Sequence, residues 1–331
     1  MTGIPATRAH ELRVAVTGAD DAILHHIGLW QRIPGVHVAA FCDADRERLL
    51  QAVDLAPGAA AFTSNESLLT SGLFSALDIC APTAEYTALV ETALAAGFDV
   101  LCRAPVSGDQ AAARAFAAVT LREGQVFLPV PSLRFHPAIA FLRDMVENDD
   151  LGGALHIQVS VSAEQTPAIG ESLDAAAIAG IDLFAWLTGH IGSARSAIGA
   201  ASGFPDAAAI AITSCHGAVG SILATCGRPM AGTSVAVSGS AGAADAVVGT
   251  GLVRFRTAES PVWLTHDAGV GDPDEAAIRH FAACIHSHSQ PLCTARDAAT
   301  AAAVWAAVCA RPVASGGWTT LPDGYNSASY R

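Results

Sequence analysis

Lysine is absent from this 331-residue chain: all 18 of its basic residues are arginine. That excludes Schiff-base and pyridoxal-phosphate chemistry, a phosphate loop of the GxxxxGK[ST] type, and any dehydrogenase step that uses a lysine as proton donor. Charge is also scarce, at 15% of residues, and unbalanced, with a formal net of -13. With no basic cluster to offset it, the field repels polyanions, so neither nucleic acid nor an anionic membrane is an expected partner. No apolar run approaches the ~18 residues of a membrane-spanning helix. The opening "MTGIPATRAHELRVAV" lacks the charged and apolar regions of a secretory signal, so a cytoplasmic location is the expectation. The eight cysteines stand singly with no CxxC pair, as suits thiols in a reducing compartment. No GxSxG elbow is present, which argues against a serine hydrolase.

What is present is apolar residue in quantity, 51% of the chain. That suffices to bury two cores, and two domains are expected, 1–134 and 135–331. The first part alternates short apolar runs with helix-like stretches. "LRVAVTG" (12–18), "VHVAAFCDAD" (36–45), "ALDICAPT" (76–83), "DVLCRAP" (99–105) and "VFLPVPS" (126–132) read as strands. "AILHHIGLWQRI" (22–33), "EYTALVETALAAG" (85–97) and "GDQAAARAFAAVTLREG" (108–124) read as the helices between them. This is the pattern of βαβ units and a doubly wound parallel sheet, an α/β fold of Rossmann type. After a further helix in "HPAIAFLRDMVENDDLGG" (136–153) the texture changes to period-two alternation, as in "ALHIQVSVSAE" (154–164), "AAAIAITSCHG" (207–217) and "TSVAVSGSAG" (233–242). That predicts a large, mostly antiparallel sheet with one buried face. Helices over 274–287 and 295–310 close the chain, the second of them able to return to the first domain.

A strand that ends at a glycine turn before a helix binds dinucleotides, because free N–H groups and the helix dipole favour a pyrophosphate. Here the GxGxxG frame reads Gly18-Ala19-Asp20-Asp21-Ala22-Ile23, and only the first glycine survives. Gly18, Ala22 and Ile23 are the expected contacts in this turn. Asp43 closes the second strand, where an acidic residue pairs with a ribose diol and favours NAD over NADP. It serves equally as an N-cap for the helix that follows. Arg46 joins the expected cofactor contacts.

Taken together, "VAVTGADDAILHHIGLW", "GVHVAAFCDADRERL", "ALDICAPT", "ALAAGFDVLCRAP", "GIDLFAWLTGH" and "IRHFAACIHSHSQPLCTARDAATAAAVW" resemble, in order and spacing, the Gfo/Idh/MocA oxidoreductase family over nearly the whole chain. The resemblance implies a Rossmann domain followed by an α/β domain whose sheet is used for oligomer contacts. It further implies NAD(P)-dependent oxidation or reduction of a sugar, cyclitol or related alcohol. The family's acid-Lys-Pro motif falls on Arg103-Ala104-Pro105, so its catalytic lysine position is Ala104. Its Asp, His and second Asp of the next domain fall on Ala175, Ala179 and Asp182, and its turn proline and following polar residue on Pro82 and Tyr86. Pro82 and Arg103 are therefore expected at the cofactor. Asp174 is one residue from the family's aspartate, but a single helical step turns a side chain by about 100°. Alanines accept no proton, and a guanidinium stays charged. The remaining polar candidates for the chemistry are Tyr86, Arg103, Arg134, His136 and Asp182, with structural roles for Arg134 and His136 equally open.

Three functions follow: an atypical NAD-dependent oxidoreductase acting on a small polar or biosynthetic intermediate, a non-redox enzyme of cyclase, lyase or isomerase type in the same pocket, and a non-catalytic partner. A small-molecule ligand and homo-oligomerisation through the second sheet are expected in each, with an active family paralogue as a further partner. His280, Cys284, His286 and His288 lie close together, but a helix end with incidental histidines is the expected reading, and no metal. Trp30, Trp186, Trp263 and Trp305 are expected to pack.

Overall fold

The computed structural model describes residues 11–18, 21–80, 85–103, 118–163, 169–199, 206–226, 232–310 and 319–320. They fall into two compact units. One comprises residues 11–103, 118–130 and 274–295, the other 131–273, 296–310 and 319–320.

The first unit carries β1 (Leu12–Thr17), α1 (Ala22–Trp30), β2 (Val36–Cys42), α2 (Arg46–Leu55), β3 (Ala60–Phe62), α3 (Asn65–Leu69), β4 (Ala76–Ile79), α4 (Glu85–Ala96), β5 (Asp99–Arg103) and β6 (Phe127–Val130). The strands lie in the order β3-β2-β1-β4-β5-β6, all parallel. β4 and β6 are buried along their whole length, as happens when a parallel sheet is covered on both faces. The predicted strands are present; β2 ends three residues early and β6 two, while the predicted ends of β4 and β5, at 83 and 105, lie outside the described residues. The helix expected over 108–124 is not continued in residues 118–124, which are turn and loop; residues 104–117 lie outside the described residues.

The second unit begins with a 3-10 turn, Ser132–Phe135, and α5 (Pro137–Glu147). Then come β7 (Ala154–Ala163), α6 (Ile169–Thr188), β8 (Ile191–Gly199), β9 (Ala207–Ser214), β10 (Val219–Cys226), β11 (Ser234–Gly239), β12 (Ala243–Val247), β13 (Leu252–Arg256) and β14 (Leu264–Asp267). α5 stops six residues short of the predicted end, because Asp149 and Gly152 take left-handed backbone, φ 62° and 60°. A side chain at Gly152 would stand 2.5 Å from Ser240 Oγ. The chain closes with α7 (Pro273–Ser287), α8 (Ala295–Cys309) and β15 (Thr319–Thr320). The segment returning to the first unit is 274–295, so α7 returns while all but the first residue of α8 belongs to the second unit.

The nine strands run β14-β13-β12-β11-β7-β10-β9-β8-β15. All neighbours are antiparallel except β7 and β10, where Ile157 lies opposite Gly220 and Val159 opposite Ile222. One face is apolar and buried, with Ile157, Val159, Ile210, Ile212, Ile222 and Val235 in the core. α6 packs on it at unusually short range. A Cβ on Gly220 of β10 would fall 2.5 Å from the Phe184 ring, and one on Gly180 of α6 would fall 2.4 Å from Ile222 Cγ2. Each glycine is the hole that receives the other element's large side chain. No helix among the described residues is long and apolar enough to cross a membrane.

Candidate functional site

β1 delivers its last residue into the turn before α1. The Gly18 N–H donates to the Cys42 carbonyl at 3.2 Å, and an added Cβ would lie 3.3 Å from both Cys80 Cβ and Ile23 Cβ. Packing of the turn between β4 and α1 thus demands a small residue at position 18. Ile23 is fully buried and anchors the helix. Asp21 is the N-cap but its side chain makes no capping bond, and the first turn of α1 holds no acidic residue. The first-turn amides of this helix are thus not capped by a side chain, while the Asp21 carboxylate beside them offsets their positive character.

Asp43 is buried and its carboxylate is occupied. Oδ1 accepts the Asp45 N–H at 2.7 Å and Arg48 Nη2 at 3.0 Å, while Oδ2 accepts Arg48 Nε at 2.7 Å. It is not the cap of α2. That role falls to Asp45, which accepts the N–H groups of Glu47 and Arg48; these two donors hold its carboxyl below the usual range. Arg46 is exposed. Pro82, Ala104 and Pro105 lie outside the described residues.

At the end of β5, Tyr86 and Arg103 come together through the backbone. The Tyr86 hydroxyl donates to the Arg103 carbonyl at 3.1 Å, and burial pushes its pKa far up, so it is a strut for the strand end and a poor acid. The half-exposed Arg103 guanidinium stands 3.9 Å from Asp274 at the start of α7. Beside it lies a group that the pattern of residues did not single out. Asp78, fully buried on β4, accepts from His26 Nδ1 at 2.8 Å, from Trp30 Nε1 at 2.7 Å and from the Cys80 thiol at 3.7 Å. Trp30 also meets Phe281 of α7 edge to face, 6.2 Å between centroids.

In the second unit Arg134 and Asp182 form a buried, two-pronged pair, with Nε to Oδ2 at 2.8 Å and Nη2 to Oδ1 at 2.6 Å. The guanidinium also lies 5.3 Å from the Trp186 ring centroid. His136 is the N-cap of α5: its Nδ1 accepts the Ala138 N–H at 3.3 Å. The ring proton therefore sits on Nε2, and this buried donor has no hydrogen-bond partner. Burial holds the His136 pKa below its ordinary value, which keeps it neutral. Asp174 points to α8, accepting the Trp305 indole N–H at 2.7 Å, as the helical step predicts. In the first unit, His280 Nε2 accepts the Leu292 N–H at 2.9 Å and lies 3.4 Å from Cys284 Sγ. The ring ties down the loop after α7.

Residues 12–129 match the family model described as "Oxidoreductase family, NAD-binding Rossmann fold". Over this segment the chain is similar to the Gfo/Idh/MocA oxidoreductase family. The similarity is carried by the Rossmann unit, and among curated proteins the chain is similar to inositol 2-dehydrogenase of Corynebacterium glutamicum. The two are 28% identical over 186 residues, 54% of each chain. The inositol 2-dehydrogenase of Pseudarthrobacter chlorophenolicus is 31% identical over 159 residues, 47% of each. The match thus spans about half the length of these relatives. Among solved structures, levoglucosan dehydrogenase in complex with NADH superposes with a TM-score of 0.83 at 16% identity, over 94% of this chain and 99% of that one. The Gfo/Idh/MocA fold therefore extends over both units, further than the detectable sequence similarity.

Proposed function

We propose that this chain binds NAD(H) and acts as an oxidoreductase on a small polar, polyhydroxylated substrate, without the lysine-based proton transfer of that family. The observation that carries the reading is the match over residues 12–129, on a sheet of order β3-β2-β1-β4-β5-β6 whose β1 ends at Thr17, directly before Gly18. Gly18 and the first-turn amides of α1, which no side chain caps, suit a pyrophosphate, against the charge of Asp20 and Asp21 at the start of the helix. Asp43 suits a ribose diol less well, because Arg48 already occupies its carboxylate; sharing that carboxylate with a diol requires Arg48 to give way. When bound, the nucleotide supplies or accepts the hydride.

The chain's own residues handle the oxygen and its proton. With no lysine available, and with Tyr86, Arg134 and Asp182 hydrogen-bonded within the protein, His136 has the uncommitted polar atom. Its Nε2–H, on a ring kept neutral by burial, is suited to polarise a substrate carbonyl or steady an alkoxide, as a hydrogen-bond donor. As a base it would first have to surrender the α5 cap. A second reading, ligand binding without turnover, is favoured by the same engagement of Tyr86, Arg134 and Asp182. The eight free thiols fit the reducing cytoplasm, and the outer face of the nine-stranded sheet, with Ala209, Ala211 and Leu223, fits self-association.

Calorimetric titration with NADH and with NADPH, followed by assay against inositols and aldoses, tests the proposal. NADH binding with turnover that His136→Phe abolishes supports it. Binding without turnover on any of these leaves the non-catalytic reading, and absence of binding to either nucleotide overturns the redox one. Light scattering of the same sample reads the oligomeric state.

A further inference from the structure

Between β4, β5, α1 and α7 of the first unit lies a small, partly open void of about 10 Å³, walled largely by apolar side chains such as Leu101 and Ile278, with His26, Asp78, Arg103 and Asp274 as its polar border. His26 is buried, and its Nε2 has no hydrogen-bond partner. That atom faces Asp274 Oδ2 at 3.9 Å, the same carboxylate oxygen that Arg103 Nη2 approaches at 3.9 Å. The volume decides what the void can exchange: it admits one water at most, so no ligand larger than that fits. What remains is a proton.

The tautomer sets the rest of the argument. The Asp78 carboxylate accepts from His26 Nδ1, so in the neutral ring Nδ1 carries the hydrogen and Nε2 presents a lone pair. A lone pair and a carboxylate oxygen are both acceptors and do not attract. Protonation of Nε2 turns that opposed pair into an attractive one, directly or through one water. We propose that His26 is a protonation-dependent rivet that fastens the start of α7 to β4, through Asp78 on one side and Asp274 on the other.

The groups around His26 fit that role. Asp78 on β4 and Asp274 on α7 favour the charged ring, Arg103 on β5 opposes it, Cys80 donates to Asp78, and His25 on α1 stands edge-on at 6.0 Å between centroids. Cys102 on β5 is held neutral, its pKa pushed well up by burial. Burial alone would lower the His26 pKa, but Asp78 and Asp274 outweigh it and the pKa stands above the ordinary 6.5. A group raised on folding stabilises most below its unfolded value, and the benefit is lost as pH rises through the folded value. The rivet is therefore fully closed below 6.5 and opens as pH rises through the raised pKa of the folded state.

Deuterium exchange of the full chain, read on peptides of α7 and corrected for the intrinsic pH effect, tests this. Protection of α7 should fall by up to about tenfold for each pH unit between the ordinary and the raised pKa. Two variants remove the switch by different routes. His26→Gln keeps a donor for Asp78 but cannot titrate. Asp274→Asn leaves the buried Asp78 pairing intact and serves if the first variant does not fold; in it the His26 pKa, followed by NMR, should drop. Loss of the pH dependence in these variants supports the rivet. The same pH dependence of α7 protection in the wild type and in Asp274→Asn, or an unmoved His26 pKa, overturns it.

Discussion

The two units each bury an arginine or histidine against an aspartate, and they do so in opposite ways. Arg134 and Asp182 are mutually saturated: two short parallel bonds, with an aromatic ring beside the guanidinium. The corner around His26 is hydrogen-bonded on its Asp78 side, while on the other side Asp274 Oδ2 stands 3.9 Å from His26 Nε2 and 3.9 Å from Arg103 Nη2. A closed pair fixes geometry, whereas an open one leaves a degree of freedom that a proton can take up.

The contrast is broken most severely at its closed end. Asp182→Ala leaves a buried guanidinium without its counter-charge and should cost about 3–5 kcal/mol in urea denaturation. Replacing both partners with Arg134→Met and Asp182→Leu should recover most of that, since desolvation of both charges is then avoided. Next in size, Asp78→Asn removes the charged acceptor of the His26, Trp30 and Cys80 donors. It should cost about 1.5–3 kcal/mol, with the His26 pKa falling in the same NMR titration. Smaller again, Tyr86→Phe removes one hydrogen bond to the end of β5 and should cost about 1 kcal/mol, with NADH affinity unchanged.

The finest test sets the two orphaned imidazoles against each other. His26 is raised on folding, so it contributes stability below 6.5 that is lost as pH rises through its folded value. His136 is lowered by burial, so its neutral form contributes stability above 6.5 that is lost as pH falls toward its folded value. Their slopes oppose. Denaturation midpoints of His136→Gln should therefore fall more with rising pH than those of the wild type, and midpoints of His26→Gln should fall less.

Much of the fold was legible because its signals are long or punctuated. β1, β2, β4, β5 and β6 appear as apolar runs, and Gly97 marks the end of α4 with a left-handed φ of 96°. β3, β12 and β14, of three to five residues and rich in alanine or exposed, give no period to read, and the nine-residue β8, "IGSARSAIG", is not among the predicted strands either. α6 was recognised only in part, since "DAAAIAGIDLF" is apolar on nearly every side and carries little helical contrast. At the site, Arg134 and Asp182 were named singly, but their pairing spans 48 positions and belongs to the tertiary fold. The His26 corner was overlooked although a signal existed: a histidine within "AILHHIGLW" and an aspartate within "ALDIC" are polar residues set in runs that are otherwise core. Such residues must find one another when both runs are buried.

The interlock of α6 with β10 carries one further consequence, and it is a matter of commensurate spacing. From Gly180 to Phe184 the helix advances about 6 Å, and from Ile222 back to Gly220 the strand advances about 6.6 Å. The two holes and two knobs thus form a vernier with nearly equal divisions, read in opposite directions along the chain. A helix held at two such marks cannot slide by one residue without driving both knobs into backbone. Asp182 lies between the marks, turned about 200° from each and so away from the sheet. Its height is graduated by glycines it never touches.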